Sequence, residues 1–445
     1  MIVKKFGGTS VGNAKRFETI ATLLPEKEPV IVVLSAVAGV TTELVNIINC
    51  IEKKQTVSLQ HKLNDLKNIH IQICQELLKD EQKSNFVIQK ITDTFLKVEQ
   101  ISANSFISIA QQKWILAQGE LLSSEIFFQY LSSIRNDILL LHAPEFLKLN
   151  IQGEPDTVFL KKQLTTEIAL HEANHVFIIQ GFICTNSFGD IDNLGRGGSD
   201  YSASLIASAI HANELQIWSD IDGFHNNDPR YVSHTKPIRN LSFDEAAELA
   251  YFGAKILHPS TIHPCKEIGI PVKLKNTLHP SDLGTIITNS YTPSNIKAVA
   301  AKDGIIAIKI KSTRMLMAHG FLKKIFDVFD EYKTSVDMIT TSEIAVSLTI
   351  DNNTYFKEIT EKIAQFAIVE TDENQTIICV VGDFLAENQG IASTLFQVLE
   401  NIPIRMISYG GSKHNISFLV STKHKIQALQ ALQNILNSQK VEEGR

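Results

Sequence analysis

Cysteine and tryptophan are scarce, and paired thiols, clustered bases and membrane-length apolar runs are missing. The five cysteines, Cys50, Cys74, Cys184, Cys265 and Cys379, stand far apart and form no CxxC pair, so they read as reduced, mostly buried thiols rather than a disulfide framework. The longest apolar run, Val30–Val40, is too short to cross a bilayer, and the opening MIVKKFGGTS lacks the apolar core of a signal peptide. A cytoplasmic protein without membrane contact is the expectation. No block of Lys and Arg is long enough for a nucleic-acid surface, and the net charge is -6, so nucleic acid is not an expected partner. What is present is 445 residues, 44% hydrophobic and 20% charged, enough for two or three cored domains.

Glycine, by contrast, is concentrated beside cations. In Leu194–Tyr231, Gly195, Gly197 and Gly198 flank Arg196, and Ser199-Asp200 open a segment with Tyr201, Leu205, Ile206, Ala209 and Ile210 at helical spacing. Glycines let bare N–H groups approach an anion, a helix start adds favourable potential, and arginine supplies a forked donor. A polyanion is the expected guest. Leu215–Trp218 then reads as a buried strand ending at Ser219-Asp220, the edge where open α/β sheets bind ligands. GxGG alone is ordinary turn chemistry. Two further stations add weight: Lys4-Lys5-Phe6-Gly7-Gly8-Thr9-Ser10 after the strand Ile2–Phe6, and YFGAKILHP from Tyr251 to Pro259. Gly7–Gly12 matches half of a P-loop, but Asn13-Ala14 stand where Lys and Ser/Thr are required, so that reading fails.

Between the stations, helices and strands alternate as in a mostly parallel sheet covered on both faces, with strands at Val30–Leu34, Leu139–Leu141 and Val176–Ile179. From about Thr42 to Trp114 the spacing of Leu63, Leu66, Ile69, Ile73 and Leu77 marks a helical excursion. Gly119-Glu120 reads as the opening of a further helix to Leu131, with the glutamate in its first turn. His171-Glu172-Ala173-Asn174-His175 is a literal HExxH, but the strand at Val176 leaves no continuing helix to hold both imidazoles on one zinc, so it reads as a chance match. The first domain is expected to close near Tyr291–Ser294, giving a 1–293 domain.

The remainder, 294–445, carries a repeat. GFLKKIFDVFDEYKTSVDMITTSEIAVSLTI and GIASTLFQVLENIPIRMISYGGSKHNISFLV share one order of helix and strands, predicting two copies of a small α+β module over about 305–372 and 373–445, in a possibly intertwined pair. Strands are predicted at Ile305–Ile310, Ser335–Thr341, Ile344–Ile350, Thr376–Val381, Arg405–Ser408 and Ile416–Val420.

Taken in order, KFGGTSV, QGFI (Gln180–Ile183), LGRGGSD, the DPR ending at Arg230, YFGAKILHP and SVDMITTSE resemble the aspartokinase family over nearly the whole chain. The resemblance implies an amino-acid-kinase αβα sandwich followed by two ACT modules, and transfer of the ATP γ-phosphoryl to the side-chain carboxylate of L-aspartate at the head of lysine, threonine and methionine biosynthesis. It implies Lys5 and Asp200 as the catalytic pair. It implies Ser35, Thr41, Glu120, Arg196, Gly197, Gly198 and Ser199 around the amino-acid substrate. Around ATP, with Mg²⁺, it implies Lys5, Gly7, Gly8, Ser35, Ser219, Asp220, His225, Arg230 and Lys255. No protein side chain is implied as a metal ligand.

Within the family the repeat resembles the lysine-inhibited type, which implies an effector pocket of Met315, Gly320, Phe321, Leu322, Ser335, Val336, Asp337, Ser342 and Glu343, and a homodimer or larger assembly through the ACT modules. A monofunctional enzyme is implied. The chain departs from its relatives at His225, where tyrosine is frequent, at Asp190-Ile191-Asp192-Asn193, where threonines are, and at Met317-Ala318, where His-Ser stands. Asp192 is expected to add negative charge near a polyanion site. An inactive amino-acid sensor, and a kinase of another acidic amino acid, stay open as alternatives.

Overall fold

The computed structural model describes every residue except 105, 196, 254–256, 291–295, 312–318, 384–386, 388 and 439–445. Two compact units emerge: Met1–Gly223 with Ile256–Ser290, and Phe224–Lys255 with Tyr291–Arg445. Each is described by itself.

In the first unit, strands β1 (Ile2–Phe6), β2 (Val30–Leu34), β3 (Ile138–Leu141), β4 (Val176–Gln180) and β7 (Glu214–Ser219) join β9 (Val272–Asn276) and β10 (Thr285–Thr288) in the order β3-β4-β2-β1-β7-β9-β10. All neighbours are parallel except β10 on β9. The sequence VIVVL of β2 is buried at every position, the mark of a strand covered on both faces. A short hairpin of β5 (Ile183–Thr185) and β6 (Ile191–Asn193) stands apart from this sheet.

Helix α1 (Ala14–Thr22) starts at Asn13, whose side chain accepts the Arg16 N–H; the residue that spoils the P-loop is a helix cap. The expected excursion is α2 (Val40–Glu52), α3 (Thr56–Leu77), α4 (Glu81–Ser102) and the start of α5 (Ile109–Leu131), where Leu63, Leu66, Ile73 and Leu77 share a core with Val87, Ile91, Phe95 and Val98. One expectation is corrected here. Glu120 is not in a first turn: α5 runs unbroken through Gly119, from a capping box at Ser108 and Gln111. The glycine is there for close approach, since a Cβ on it would stand 2.7 Å from the Ala36 Cβ. After α6 (Ala143–Phe146), helix α7 (Thr157–Leu170) ends before His171, and β4 begins at Val176, so the two histidines of HExxH do not share a helix. Helix α8 (Gly198–Ala209) precedes β7.

Strand β8 (Asn240–Ser242) and helix α9 (Phe243–Tyr251) belong to the second unit, and α10 (His263–Ile268) to the first. The second unit is built on two 14-residue strands, β11 (Ala298–Lys311) and β14 (Ile368–Val381), paired antiparallel along their length. Around them β12 (Ile339–Thr341), β13 (Ala345–Ile350), β15 (Ile404–Tyr409) and β16 (Asn415–Ser421) complete the order β12-β13-β11-β14-β16-β15. Two cores divide this sheet. Ile306, Ile308 and Ile310 of β11 pack with α11 (Phe321–Glu331) and α12 (Phe356–Ala364). Val299, at the other end of β11, packs with α13 (Ile391–Val398) and α14 (Lys425–Ser438). Each long strand thus serves both modules, the physical form of the repeat. The strand expected from Ser335 is confined to Ile339–Thr341, and α12 was unmarked because only Ile359 and Ile363 of its nine residues are buried. No helix among the described residues is long and apolar enough to cross a membrane.

Candidate active site

Register brings four strand ends to one level. Phe6 pairs with Leu34 and Trp218, and Leu34 with Gln180, so Gly7, Ser35, Gly181 and Ser219 leave the C-terminal edge side by side. Backbone bonds hold them there: Gly7 N–H to the Trp218 carbonyl (3.0 Å), Ser35 N–H to Phe6 (3.2 Å) and Gly181 N–H to Leu34 (2.8 Å). Helix α8 is pressed onto this edge. A Cβ on Gly181 would meet the Ser199 Cβ at 2.6 Å, and one on Gly198 would meet Phe182 Cδ2 at 2.4 Å. Gly197 caps the helix at φ 70. Phe182 also has positive φ, 68, and donates its N–H to Ser202 Oγ at 2.9 Å. A non-glycine residue held in this region is strained, and such strain gathers at functional sites.

A cleft of about 450 Å³ opens above, lined by Lys5, Gly8, Ser35, Thr41, Glu120, Gly197, Gly198, Ser199 and Asp200, with Ala36–Gly39, Thr42, Phe182 and Gly195. Nine of the residues picked from sequence therefore share one cavity. Lys5 Nζ stands 2.7 Å from Asp200 Oδ1, both side chains nearly buried. Asp200 lies in the first turn of α8, on the electropositive end of the helix. Burial pushes the Glu120 carboxyl up to about 8, against backbone N–H bonds and the Lys5 charge, which pull it down. Its Oε2 is buried without a hydrogen-bond partner. The arrangement offers glycine-lined backbone, two cleft-facing helix starts, one ammonium and an unsatisfied carboxylate oxygen. A molecule carrying both phosphate and a free ammonium matches that set.

Residues 1–276 match the family model described as amino acid kinase family, and residues 378–436 the one described as ACT domain. Lysine-sensitive aspartokinase 3 of Escherichia coli (strain K12) is 32% identical over 449 residues, covering 98% of this chain and 99% of that protein. Aspartokinase 1, chloroplastic, of Arabidopsis thaliana is 33% identical over 459 residues, covering 97% and 79%. Among solved structures, E. coli aspartokinase III in complex with aspartate and ADP (R-state) superposes with a TM-score of 0.85 at 32% identity, covering 98% of this chain and 99% of that one. Its complex with lysine and aspartate (T-state) gives 0.83 at the same identity and coverage.

The chain belongs to the aspartokinase family. It is an ATP-dependent phosphotransferase, an aspartate kinase, whose catalytic fold is followed by ACT-type regulatory structure.

Against the aspartokinase pattern, the remaining residues fall as follows. Gly7 adjoins the pair, since a Cβ there would lie 3.5 Å from Lys5 Nζ, and Ser219-Asp220 follow at the end of β7. His225 and Arg230 lie in the second unit; His225 Nδ1 is 3.2 Å from Thr235 Oγ1, and the Arg230 guanidinium is engaged by Asp228 at 2.6 and 2.9 Å. Arg196, Lys255 and Met315, with the Met317-Ala318 departure, lie outside the described residues. Gly320 caps α11, Phe321 and Leu322 form its first turn, Ser335, Val336 and Asp337 follow that helix, and Ser342 and Glu343 form the turn between β12 and β13. The charge of Asp192 is countered: Lys113 of α5 stands 2.9 Å from its carboxylate and donates to Asn193 Oδ1 at 2.9 Å. Phe182 and Ala36 were missed as cleft residues. The positive φ of Phe182 has no sequence signature, whereas its place between Gly181 and the α8 glycines hinted at close packing.

Proposed function

We propose that this enzyme transfers the γ-phosphoryl of ATP to the side-chain carboxylate of L-aspartate, with Lys5 and Asp200 at the reacting end of the cleft and Glu120 at the amino-acid end. The observation that carries this reading is the juxtaposition in one cleft of the Lys5–Asp200 pair and the buried, unpartnered Glu120 oxygen. Aspartate brings its nucleophile already ionised at neutral pH, so no general base is required and catalysis reduces to alignment and charge stabilisation. A carboxylate oxygen forms a bond to the γ-phosphorus as the bond to the β,γ-bridging oxygen breaks, leaving ADP. The Lys5 ammonium, oriented by Asp200, stabilises charge on the equatorial oxygens. Glu120 receives the α-ammonium of aspartate, and Ser35, Thr41 and Ser199 supply hydrogen bonds. Ser219, Asp220, His225, Arg230 and Lys255 are assigned to the nucleotide by resemblance.

Mg²⁺ would enter as an ion carried by the nucleotide phosphates, where it would neutralise their charge. Among the described residues the one grouping of three metal-capable side chains, Glu245, Asp383 and His414, lies in the second unit, and the Lys297 ammonium stands 2.8 Å from Glu245 there. For the effector, the reading is L-lysine at the ACT region with Asp337 and Glu343 as amine partners; its support is the lysine sensitivity named for the E. coli relative. A homodimer or larger assembly in the cytoplasm completes the reading.

The deciding experiment traps acyl phosphate with hydroxylamine from ATP, Mg²⁺ and L-aspartate, with and without L-lysine. Aspartate-dependent product suppressed by lysine is expected, and light scattering of the same preparation should give a particle of at least two chains. No product from aspartate would overturn the kinase reading. Product indifferent to lysine would overturn the effector assignment alone.

A further inference from the structure

Helix α5 carries Glu120 and, seven residues earlier, Lys113. Seven residues make nearly two turns, so the two Cβ positions leave one side of the helix, about 10 Å apart along its axis. At one level this side offers Glu120 to the cleft. At the other, Lys113 Nζ stands 2.9 Å from Asp192 Oδ1 and donates to Asn193 Oδ1 at 2.9 Å. Asp192 Oδ1 also accepts the Asn193 N–H at 2.7 Å. One ammonium thus grips two consecutive residues of β6.

The hairpin that contains β6 leads the chain into the cleft. Its inner strand, β5, is anchored at Thr185 by backbone bonds with Leu147 and Leu149 at 2.9 and 2.8 Å. Ile183 pairs with Asn193, and the next residue, Leu194, donates its N–H to the Phe182 carbonyl at 2.8 Å. Gly195 then lines the cleft, and its carbonyl accepts the Gly198 N–H at 3.1 Å. The Asn193 amide shows what the grip holds. With its oxygen on Lys113, its nitrogen is buried without a hydrogen-bond partner. An open buried donor is costly, and the amide keeps this orientation because the ammonium claims its oxygen.

We propose that Lys113 is a positioning residue for the amino-acid substrate: by clamping Asp192 and Asn193 it fixes the width of the cleft between Glu120 on α5 and the glycine loop that begins at Leu194. This rests on the reading above that Glu120 receives the substrate ammonium. Lys113 does not line the cleft and acts through the two walls it ties together. The two side chains of the ion pair are 31% and 22% exposed, so solvent screens the clamp in part, and its effect on affinity is that of a partly exposed pair, about three- to five-fold.

The test is steady-state kinetics on the full-length enzyme, with acyl phosphate trapped by hydroxylamine and each substrate varied at saturating levels of the other. Lys113→Met keeps the apolar stem and deletes the ammonium; it should raise the KM for aspartate about three- to five-fold and leave the KM for ATP at the parent value. Lys113→Arg, which keeps a cation and its donors, should stay near the parent. Asp192→Asn should raise the same KM by less, since Asn193 still holds Lys113. The double variant should be no worse than Lys113→Met alone, because both changes cut one link. Additive effects, equal rises in both KM values, or a lowered melting temperature with both KM values unchanged would overturn the clamp and leave Lys113 a structural brace. Should Lys113→Met fail to fold, Asp192→Asn decides, an unchanged KM for aspartate overturning the proposal. A parent that forms no aspartate-dependent product overturns the kinase reading and the clamp with it. An active parent whose KM for aspartate rises in Glu120→Gln but not in Lys113→Met overturns the clamp alone.

Discussion

Glu120 shows at the residue scale what burial adds to a familiar side chain. Its pKa in the fold, about 8, lies above the ordinary 4.5 because burial opposes the charge more than its N–H donors and Lys5 support it. The sign follows from linkage. The folded state holds the extra proton between those values, so the contribution to stability is fully present below about 4.5 and is lost as pH rises through about 8. An α-ammonium at Oε2 favours the charged form instead, so substrate binding should expel a proton below about 8. Two outcomes are expected. The KM for aspartate should rise as pH falls from 8 toward 6, approaching ten-fold per pH unit, and heats of aspartate binding should differ between buffers of different ionisation enthalpy. In Glu120→Gln the pH slope should vanish and the KM rise at least about ten-fold, the loss expected when a charged hydrogen bond is removed. A slope that survives the substitution would place the titrating group elsewhere. From sequence this glutamate was visible only as a residue beside a glycine; its role there came from resemblance, and its protonation required the depth of α5.

At the scale of elements, what was legible followed local chemistry. Continuous apolar runs announced β2 and β4, and the glycines before Ser199 announced α8. What was not legible depended on neighbours distant in sequence. Gly119 read as a helix start because glycine in a helix interior is disfavoured by about 1 kcal/mol against alanine. The structure gives the opposite reason for it: α5 passes so close to the loop after β2 that a Cβ would stand 2.7 Å from Ala36 and 3.3 Å from Val40. Gly119→Ala should therefore destabilise the protein by about 1–3 kcal/mol despite the better helix former, measured by chemical denaturation. Because one displaced neighbour, Ala36, lines the cleft, the KM for aspartate should rise with it. Greater stability in the variant would show that α5 has room to shift.

Across the whole molecule, the linear division at 293 is not the division of the compact units. Phe224–Lys255 lies before the boundary in sequence yet packs with the regulatory structure, through Tyr251 on Asp337, Gly253 on Ala301, and Glu248 accepting from Ser412 at 2.8 Å. Each contact joins residues tens to more than a hundred positions apart, beyond the reach of periodicity or turn chemistry. The consequence is thermodynamic. If lysine lowers ATP affinity by some factor, ATP must lower lysine affinity by the same factor, because both legs close one cycle. Calorimetric titration of each ligand with and without a saturating amount of the other, using a nonhydrolysable ATP analogue, should return equal factors of at least about five. Lysine that suppresses turnover while leaving both affinities untouched would place its effect on phosphoryl transfer itself, at the Lys5–Asp200 pair.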